Sequence, residues 1–276
     1  MPQTINTNMQ SLNAQRNISA SQTSMSVSMQ RLSSGLRVNS AKDDAAGLAI
    51  SERMTAQTRG MNVAIRNAND GISLAQTAEG AIGKIGDALQ RMRELAVQSA
   101  NGTNNAGDRD NLQTEFAELQ AEVTRLVDGT KFNDQNLLDA ATTFTFQIGA
   151  NTGAEDTIDV VMSDLKTDVD TPVAALDISG ATAAGATAAI DALDAAIDDV
   201  TTARANFGAV QNRFDSVIGT LMVAAENLTA SRARITDADY AVETANLSRS
   251  QILQQAGTAM VAQANQAPQQ VMQLLR

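Results

Sequence analysis

The apolar residues of the C-terminal segment recur at helical spacing. Between Thr244 and Arg276 the main apolar positions lie three or four residues apart, and the segment contains no Asp or Glu. This spacing predicts a helix with a narrow apolar stripe. Because small Ala and flexible Met side chains make up much of the stripe, we expect partner helices to cover it at close approach. The stripe consists of Leu253, Ala256, Met260, Ala264, Ala267, Val271 and Leu274.

A similar pattern lies at the other end of the chain. Residues 1–41 contain no acidic side chain, and their apolar positions predict a helix over 1–36 with a break near Ser33-Ser34-Gly35. We expect the two terminal helices to pair, and the pair to be buried among further copies of the chain. An ordinary bundle within a single chain is the alternative. The N-terminal apolar positions are Ile5, Met9, Leu12, Ile18, Met25, Met29, Leu32 and Leu36.

The chain between the two ends contains further helical patterns. Asp43 and Asp44 are favoured in the first turn of a helix, so a loop that begins near residue 37 is predicted to become helical after them. An Asn- and Gly-rich cluster at 101–105 predicts a turn that ends the longest helix. The further helices are predicted over 61–100, 109–127 and 188–229, and from a junction at 232–234 to the C-terminus.

Two short runs in the middle of the chain alternate apolar and polar residues. This alternation predicts two strands with one buried face each, and the Gly-rich turn between them predicts a β-hairpin. Residues 163–188 are rich in Asp, Thr, Ala and Gly, which indicates a short surface excursion or a small, loosely ordered piece. The apolar positions of the two runs are Phe144, Phe146 and Ile148, then Ile158, Val160 and Met162.

These patterns predict a mainly α protein, an elongated rod of long antiparallel helices with a β-hairpin. Both ends are helical and the middle carries the hairpin, so we expect the segments to be nested. The predicted layers are a coiled-coil terminal layer of 1–42 with 235–276, a helical trunk with the hairpin of 43–162 with 189–234, and a short variable outer tip of 163–188.

The composition argues against catalysis. The chain has neither Cys nor His, so thiol nucleophiles, disulfides and the commonest general base and metal ligand are missing. Lys42, Asp43 and Asp44 form the densest charged group of the N-terminal region, without a recognisable nucleophile or Gly-rich phosphate loop beside them. We therefore expect no enzymatic activity, no cofactor and no bound metal.

One carboxylate cluster could suggest a cation site. Asp237, Asp239 and Glu243 lie close together in the sequence, but the further ligands and the fixed Gly of an EF-hand loop are missing. Carboxylates at this spacing are typical of the first turn of a helix. We therefore expect this cluster to cap the C-terminal helix.

Charge and hydropathy limit the partners. The formal net charge is −11, and most acidic side chains lie in residues 61–228, which disfavours nucleic acids and anionic membranes as partners. No apolar run is long enough to span a membrane, so no membrane insertion is expected. The N-terminus lacks the apolar region of a secretory signal, so the protein either stays inside the cell or leaves by another route.

Seven segments of the chain resemble bacterial flagellin, in the order in which that family has them. The resemblance extends over nearly the whole chain apart from about 163–188. The segments are INTNMQSLNAQRN at 5–17, RLSSGLRVNSAKDDAAGLAISERM at 31–54, RNANDGISLAQTAEGA at 66–81, LQRMRELAVQSANGT at 89–103, FGAVQNRF at 207–214, ENLTASRARITDADYAVETANLSRSQIL at 226–253 and QQAGTAMVAQANQAPQQVMQLLR at 254–276.

The resemblance implies a fold and a function. The family has an inner layer of paired terminal helices, a helical trunk with a β-hairpin, and outer domains of variable size, which are almost missing here. It implies a structural subunit that polymerises into the extracellular flagellar filament for swimming motility. The implied partners are further copies of the chain, an export chaperone, the filament cap and the hook-junction proteins, after unfolded export through the flagellar type III apparatus.

The resemblance also implies a contact with the flagellin-sensing Toll-like receptor of vertebrate hosts. The family positions for this contact fall on Gln90, Arg91, Leu95, Gln98 and Glu115. A purely structural role is the alternative, in which Arg91 and Glu115 form an ion pair and the same helix face contacts the adjacent protofilament.

The chain departs from the family pattern at one turn. The family often has Phe-Asn-Gly there, and this chain has Phe132-Asn133-Asp134, so a positive φ at Asp134 would be strained.

The alternative function is that of a hook–filament junction protein, which shares the plan of paired terminal helices.

Overall fold

The fold is mainly α-helical and contains the β-hairpin that the sequence predicts. A computed structural model of the chain describes residues 7–274, with side chains over 7–266. The helices are α1 (Met9–Ser34), α2 (Ala45–Ser99), α3 (Ala106–Gly129), α4 (Thr171–Ala174), α5 (Ala184–Thr236) and α6 (Tyr240–Leu274). The strands are β1 (Lys131–Phe132), β2 (Gln135–Asn136), β3 (Thr143–Gln147) and β4 (Thr157–Val161).

The chain forms two compact units. Unit 1 consists of residues 1–56 and 226–276, and unit 2 consists of residues 57–225. Helices α2 and α5 contribute residues to both units.

Helix α2 is longer than predicted. It begins directly after Asp44, whose carboxylate accepts a hydrogen bond from the backbone N–H of Gly47 at 2.8 Å, which confirms the predicted start. It then continues through Gly60 without a break, where the sequence suggested a new helix. Gly60 is needed for packing, because a Cβ there would lie 2.8 Å from the Cβ of Ala150 in the hairpin turn. The helix therefore tolerates the lower propensity of glycine at this point.

The hydrophobic core of unit 2 lies between three long helices. The apolar face of α2 packs with α3 and α5, and its side chains are almost fully buried. Large aromatic side chains fill the space between the helices. The largest buried side chains are Ile82, Ile85, Leu89 and Met92 of α2, Phe116 of α3, and Phe207 and Phe214 of α5.

The β-hairpin packs against this core and confirms the prediction from alternation. Strands β3 and β4 are antiparallel, with Phe144 opposite Val160 and Phe146 opposite Ile158. The ring of Phe146 meets the ring of Phe214 edge to face, with 5.5 Å between their centroids. The hairpin is thereby fixed to α5.

A second, very short hairpin connects α3 to β3. Strands β1 and β2 are joined by a two-residue turn at Asn133 and Asp134, whose φ angles are 47° and 64°. Two successive positive φ angles are typical of a type I′ turn, where Asn-Gly is preferred. The expected strain at Asp134 is therefore present, because Asp occupies a position that favours Gly.

The segment after β4 is packed, and the prediction of a loosely ordered piece is wrong for its first part. Residues 166–170 form a π-helical turn that leads into α4, and the apolar side chains of the segment are buried. The side-chain amide of Gln120 donates to the carbonyls of Val173 and Leu176 at 2.7 and 2.9 Å. Among the many Asp and Thr residues, three buried apolar residues lie four positions apart and a fourth follows five positions later. These buried apolar residues are Leu165, Val169, Val173 and Ile178.

Unit 1 is built on the antiparallel pair α1 and α6. At one end the side-chain amide of Asn8 donates to the carbonyl of Ala264 at 2.7 Å, and at the other end Arg31 lies 3.9 Å from Glu243. The described parts of the two chain ends therefore pack along each other.

The loops beside this pair are hydrogen-bonded to each other. The N–H of Arg37 donates to the carbonyl of Thr236 at 2.7 Å, and the N–H of Ala238 donates to the carbonyl of Gly35 at 2.9 Å. Helix α5 runs to Thr236 and α6 begins at Tyr240, so the junction lies at 237–239, five residues later than the predicted 232–234.

Candidate assembly surfaces

Small side chains occupy half of the positions in the seam between α1 and α6. A Cβ at Gly257 of α6 would lie 2.6 Å from a side-chain carbon of Ile18, so the two helices approach closely there. Ser, Ala and Gly at a seam allow such an approach. The least exposed positions recur every three or four residues. They are Ser11, Ala14, Ile18, Ser21, Met25, Ser28 and Leu32 on α1, and Glu243, Leu247, Ser250, Gln254, Gly257, Val261 and Ala264 on α6.

Most of the predicted apolar stripe faces away from this seam. Met25 and Leu32 are half-buried within the seam. Ile18 and Ala264 also belong to the seam. The large apolar members outside it are between 48% and 67% exposed, so the expectation that the two stripes cover each other is correct for only part of each stripe. Small residues at the remaining seam positions allow the helix axes to approach closely. The exposed members are Met9, Leu12, Met29, Leu253 and Met260.

Four predicted stripe residues lie outside the described side chains. Ile5 precedes the first described residue, and Ala267, Val271 and Leu274 belong to the part of α6 whose side chains are not described. Ser21 and Ser28 are seven residues apart and Ser11 lies ten residues before Ser21, so helical periodicity places all three on one face. This pattern could have identified the seam, but these residues are polar and did not count as stripe positions.

An open groove runs between α1 and α6 beside the seam. Its volume is about 700 Å³, and apolar side chains form much of its lining. Ile18 and Gly257 form its floor, and the exposed Leu253 and Met260 line it as well. Unit 1 therefore presents an apolar surface that a single chain leaves uncovered.

One of the carboxylates near the start of α6 caps the helix. A carboxylate oxygen of Asp239 accepts hydrogen bonds from the N–H groups of Ala241 and Val242 at 2.9 and 3.3 Å. Asp237 instead accepts from the hydroxyl of Thr236 at 2.9 Å, and Glu243 lies 3.9 Å from Arg31. The capping interpretation is therefore confirmed for Asp239 alone.

The second candidate surface lies on α2 and α3 of unit 2. Gln90, Arg91 and Gln98 are exposed on α2, and Glu115 is exposed on α3. Leu95 is only 1% exposed and belongs to the core, so its side chain is not available to a partner. Four of the five predicted contact residues thus lie at the surface, and the fifth packs beneath them.

Arg91 connects two carboxylates on this surface. Its guanidinium group donates to Glu94 at 2.9 Å and to Glu115 at 2.9 Å, so α2 and α3 are held together by an exposed ion pair. The hydrogen bonds to Glu94 and then Glu115 raise the pKa of Arg91, which keeps it cationic. The structural alternative for Arg91 and Glu115 is therefore realised in the folded chain, and it leaves the outer edge of the group exposed.

Two family models match most of the chain. The bacterial flagellin N-terminal helical region matches residues 5–143, and the bacterial flagellin C-terminal helical region matches residues 190–275. The chain belongs to the bacterial flagellin family. Flagellins are the subunits of the flagellar filament outside the cell, so the family is one of structural proteins rather than enzymes.

Individual flagellins are similar over the full length of the chain. A flagellin of Halalkalibacterium halodurans is 49% identical over 273 residues, and the flagellin of Bacillus subtilis is 42% identical over 304 residues. In both cases the match covers 99% of each of the two chains. The terminal helices and the middle of the chain are therefore both shared with these flagellins.

Solved structures support the same family. A crystal structure of Bacillus cereus flagellin matches with a TM-score of 0.50 and 32% identity, covering 60% of this chain and 94% of that one. A putative flagellar hook-associated protein of Vibrio parahaemolyticus matches with a TM-score of 0.59, covering 71% of this chain and all of that one. At 13% identity, the second match shows a shared fold only.

Over the residues that the structure describes, no helix is both long and apolar enough to cross a membrane.

Proposed function

We propose that this chain polymerises into the flagellar filament through unit 1, and that the filament serves swimming motility. The proposal rests on one observation: in unit 1 the large apolar side chains of the terminal helices lie at the surface rather than in a core. Among the described residues of unit 1, Val38 is the one hydrophobic side chain that is buried, while large apolar residues of α1 and α6 are exposed. Helices without a core of their own gain stability when neighbouring copies cover them.

The proposed mechanism is folding coupled to assembly. Fixing the backbone of each terminal residue costs about 1–2 kcal/mol of conformational entropy. The small side chains of the α1–α6 seam bury little apolar area, and burial returns only about 25 cal/mol per Å². The terminal helices are therefore expected to become stable only between neighbours in the polymer.

The further partners follow from membership in the family. The subunit would be exported unfolded by the flagellar type III apparatus, with an export chaperone on the C-terminal segment. The filament cap would then assist its insertion, and the hook-junction proteins would connect the filament to the hook. The near absence of acidic groups from both ends supports burial of these segments against other proteins.

The surface on α2 and α3 is proposed as a lateral contact between protofilaments and as the contact for a host Toll-like receptor. Gln90, Arg91, Gln98 and Glu115 would form the accessible part of this contact. Leu95 would contribute indirectly, because its packing in the core fixes the orientation of this part of α2 and thus of the exposed residues.

Polymerisation of a polar variant tests the role of unit 1. Leu12→Gln combined with Leu253→Gln removes two exposed apolar side chains from the terminal helices. Because each buried Leu contributes about 1.5–3 kcal/mol, the critical concentration for polymerisation should rise by about a hundredfold. Sedimentation and electron microscopy of seeded, purified protein measure this.

The matched control removes exposed apolar surface from unit 2. Val161→Thr lies on β4 and is 62% exposed, and it should polymerise like the natural protein. If the Gln variant polymerises as well as the control, unit 1 is not the assembly element. If the natural protein stops at rings instead of forming long filaments, the hook–filament junction function replaces the proposed one.

A further inference from the structure

Among the described side chains of α1 and α6, three methionines are exposed to solvent. Met9, Met29 and Met260 are each more than half exposed, whereas Met92 and Met162 are buried in unit 2. Exposed thioethers are oxidised by peroxides to sulfoxides, while buried ones are shielded. Because the chain contains no Cys, no thiol of its own competes for the oxidant. The side chains of unit 1 that oxidants attack most readily are therefore part of its uncovered apolar surface.

Oxidation would change the character of this surface. A sulfoxide is polar and chiral, whereas a thioether is apolar and flexible, so the modified side chain no longer gains from burial. Met260 lines the groove between α1 and α6 together with Ile18 and Gly257. A polar oxygen placed there would have to give up its bonds to water when another copy covers the groove.

We propose that Met9, Met29 and Met260 form an oxidation site that blocks polymerisation of the free subunit. A peroxide transfers one oxygen atom to the thioether sulfur, so that the sulfur is oxidised to the sulfoxide and hydrogen peroxide is reduced to water. Covering by neighbouring copies protects the same side chains once a subunit has been incorporated. This inference rests on the proposed function, because it requires these residues to be buried in the polymer.

The oxidation of methionine to the sulfoxide can be reversed enzymatically. Methionine sulfoxide reductases return the sulfoxide to the thioether at the expense of a thiol reductant. An oxidised subunit treated with both stereospecific reductases should therefore regain its ability to polymerise. Simple unfolding damage by peroxide would not be reversed in this way.

The test uses the full-length monomer with hydrogen peroxide. Peptide mass spectrometry measures the sulfoxide at each Met, and seeded sedimentation measures the critical concentration before and after treatment. Oxidation should raise the critical concentration by about tenfold or more. Leu replaces Met with little change in volume, so the triple variant Met9→Leu, Met29→Leu and Met260→Leu should polymerise equally well with and without peroxide.

A methionine of unit 2 provides the matched control. Met222 of α5 is 59% exposed, similar to Met260, but lies outside the terminal helices. Met222→Leu should therefore stay as sensitive to peroxide as the natural protein.

The variants and treatments of this experiment distinguish failure of this inference from failure of the proposed function. Untreated protein that does not polymerise contradicts the proposed function itself. Normal polymerisation of protein with complete sulfoxide at all three positions overturns the inference alone. A triple variant that remains fully sensitive to peroxide overturns it as well. Oxidised natural protein that does not regain polymerisation after reductase treatment has the same consequence.

Discussion

The guanidinium group of Arg109 is buried near the C-terminal end of α2. It donates to the carbonyls of Ser99 at 2.9 Å, Gly180 at 3.3 Å and Asn101 at 3.4 Å. Two of these carbonyls belong to the end of α2 and the turn after it, where helix carbonyls lack partners and the helix dipole favours a cation. Arg109 therefore ties the α2–α3 turn to the segment before α5.

Removing this charge should destabilise unit 2 strongly. Arg109→Met keeps an apolar stem but leaves buried carbonyls without donors, which should lower the free energy of unfolding by about 2–4 kcal/mol. Urea unfolding followed by circular dichroism measures the change. Arg125→Met on the same helix is the control, because Arg125 makes an exposed ion pair with Glu122 and should cost less than about 0.5 kcal/mol. Equal losses of unfolding free energy in both variants would show that the buried hydrogen bonds of Arg109 stabilise unit 2 no more than the exposed ion pair of Arg125 does.

The sequence predicts the conformation or burial of some individual residues but not of others. The strain at Asp134 was predictable, since a family pattern with Gly at that turn implies a positive φ. The burial of Arg109 was not, because its partners are backbone carbonyls distant in sequence and have no side-chain signature. The burial of Leu95 follows from its place on the apolar face of α2, but the family's contact positions drew attention to its neighbours instead.

At the scale of elements, the α1–α6 seam depends on the absence of a side chain at Gly257. Gly257→Ala adds a methyl group 2.6 Å from Ile18, so the helices must separate although the intrinsic helix propensity of α6 increases by about 1 kcal/mol. We expect the critical concentration for polymerisation to rise by about tenfold.

Two further variants separate packing from propensity. Ile18→Ala removes the clashing atoms, so polymerisation should recover at least partly in the double variant with Gly257→Ala. Gly219→Ala on α5 meets no neighbouring atom and should simply stabilise the helix. If Gly257→Ala polymerises as readily as Gly219→Ala, close approach at the seam is unimportant.

Elements with regular apolar spacing were predictable, and those with mixed spacing were not. The helices α2, α3 and α5 and the hairpin β3–β4 have apolar faces that pack in unit 2, so period and burial agree. The segment at 163–178 was mispredicted because Val and Leu at four-residue spacing are few among polar neighbours. The α1–α6 seam was misplaced because close helix packing selects small side chains, which hydrophobicity does not detect.

At the scale of the whole molecule, the two units differ in how they are stabilised. Unit 2 has a continuous hydrophobic core with buried aromatic side chains. Unit 1 buries little apolar area among its described residues, and several of its buried side chains are serines. Its helices are long, and isolated helices without tertiary packing are marginal in water. We therefore expect unit 2 to be stable on its own and unit 1 to be stable only in the polymer.

Amide hydrogen exchange of the monomer and of the polymer tests this assignment most directly. In the monomer, the amides of α1 and α6 should exchange rapidly, while those in the core helices α2 and α3 of unit 2 stay protected. In the polymer, α1 and α6 should become protected along their length. Protection of α1 and α6 that is equally strong in the monomer would contradict the account, because the terminal helices would then fold without their neighbours.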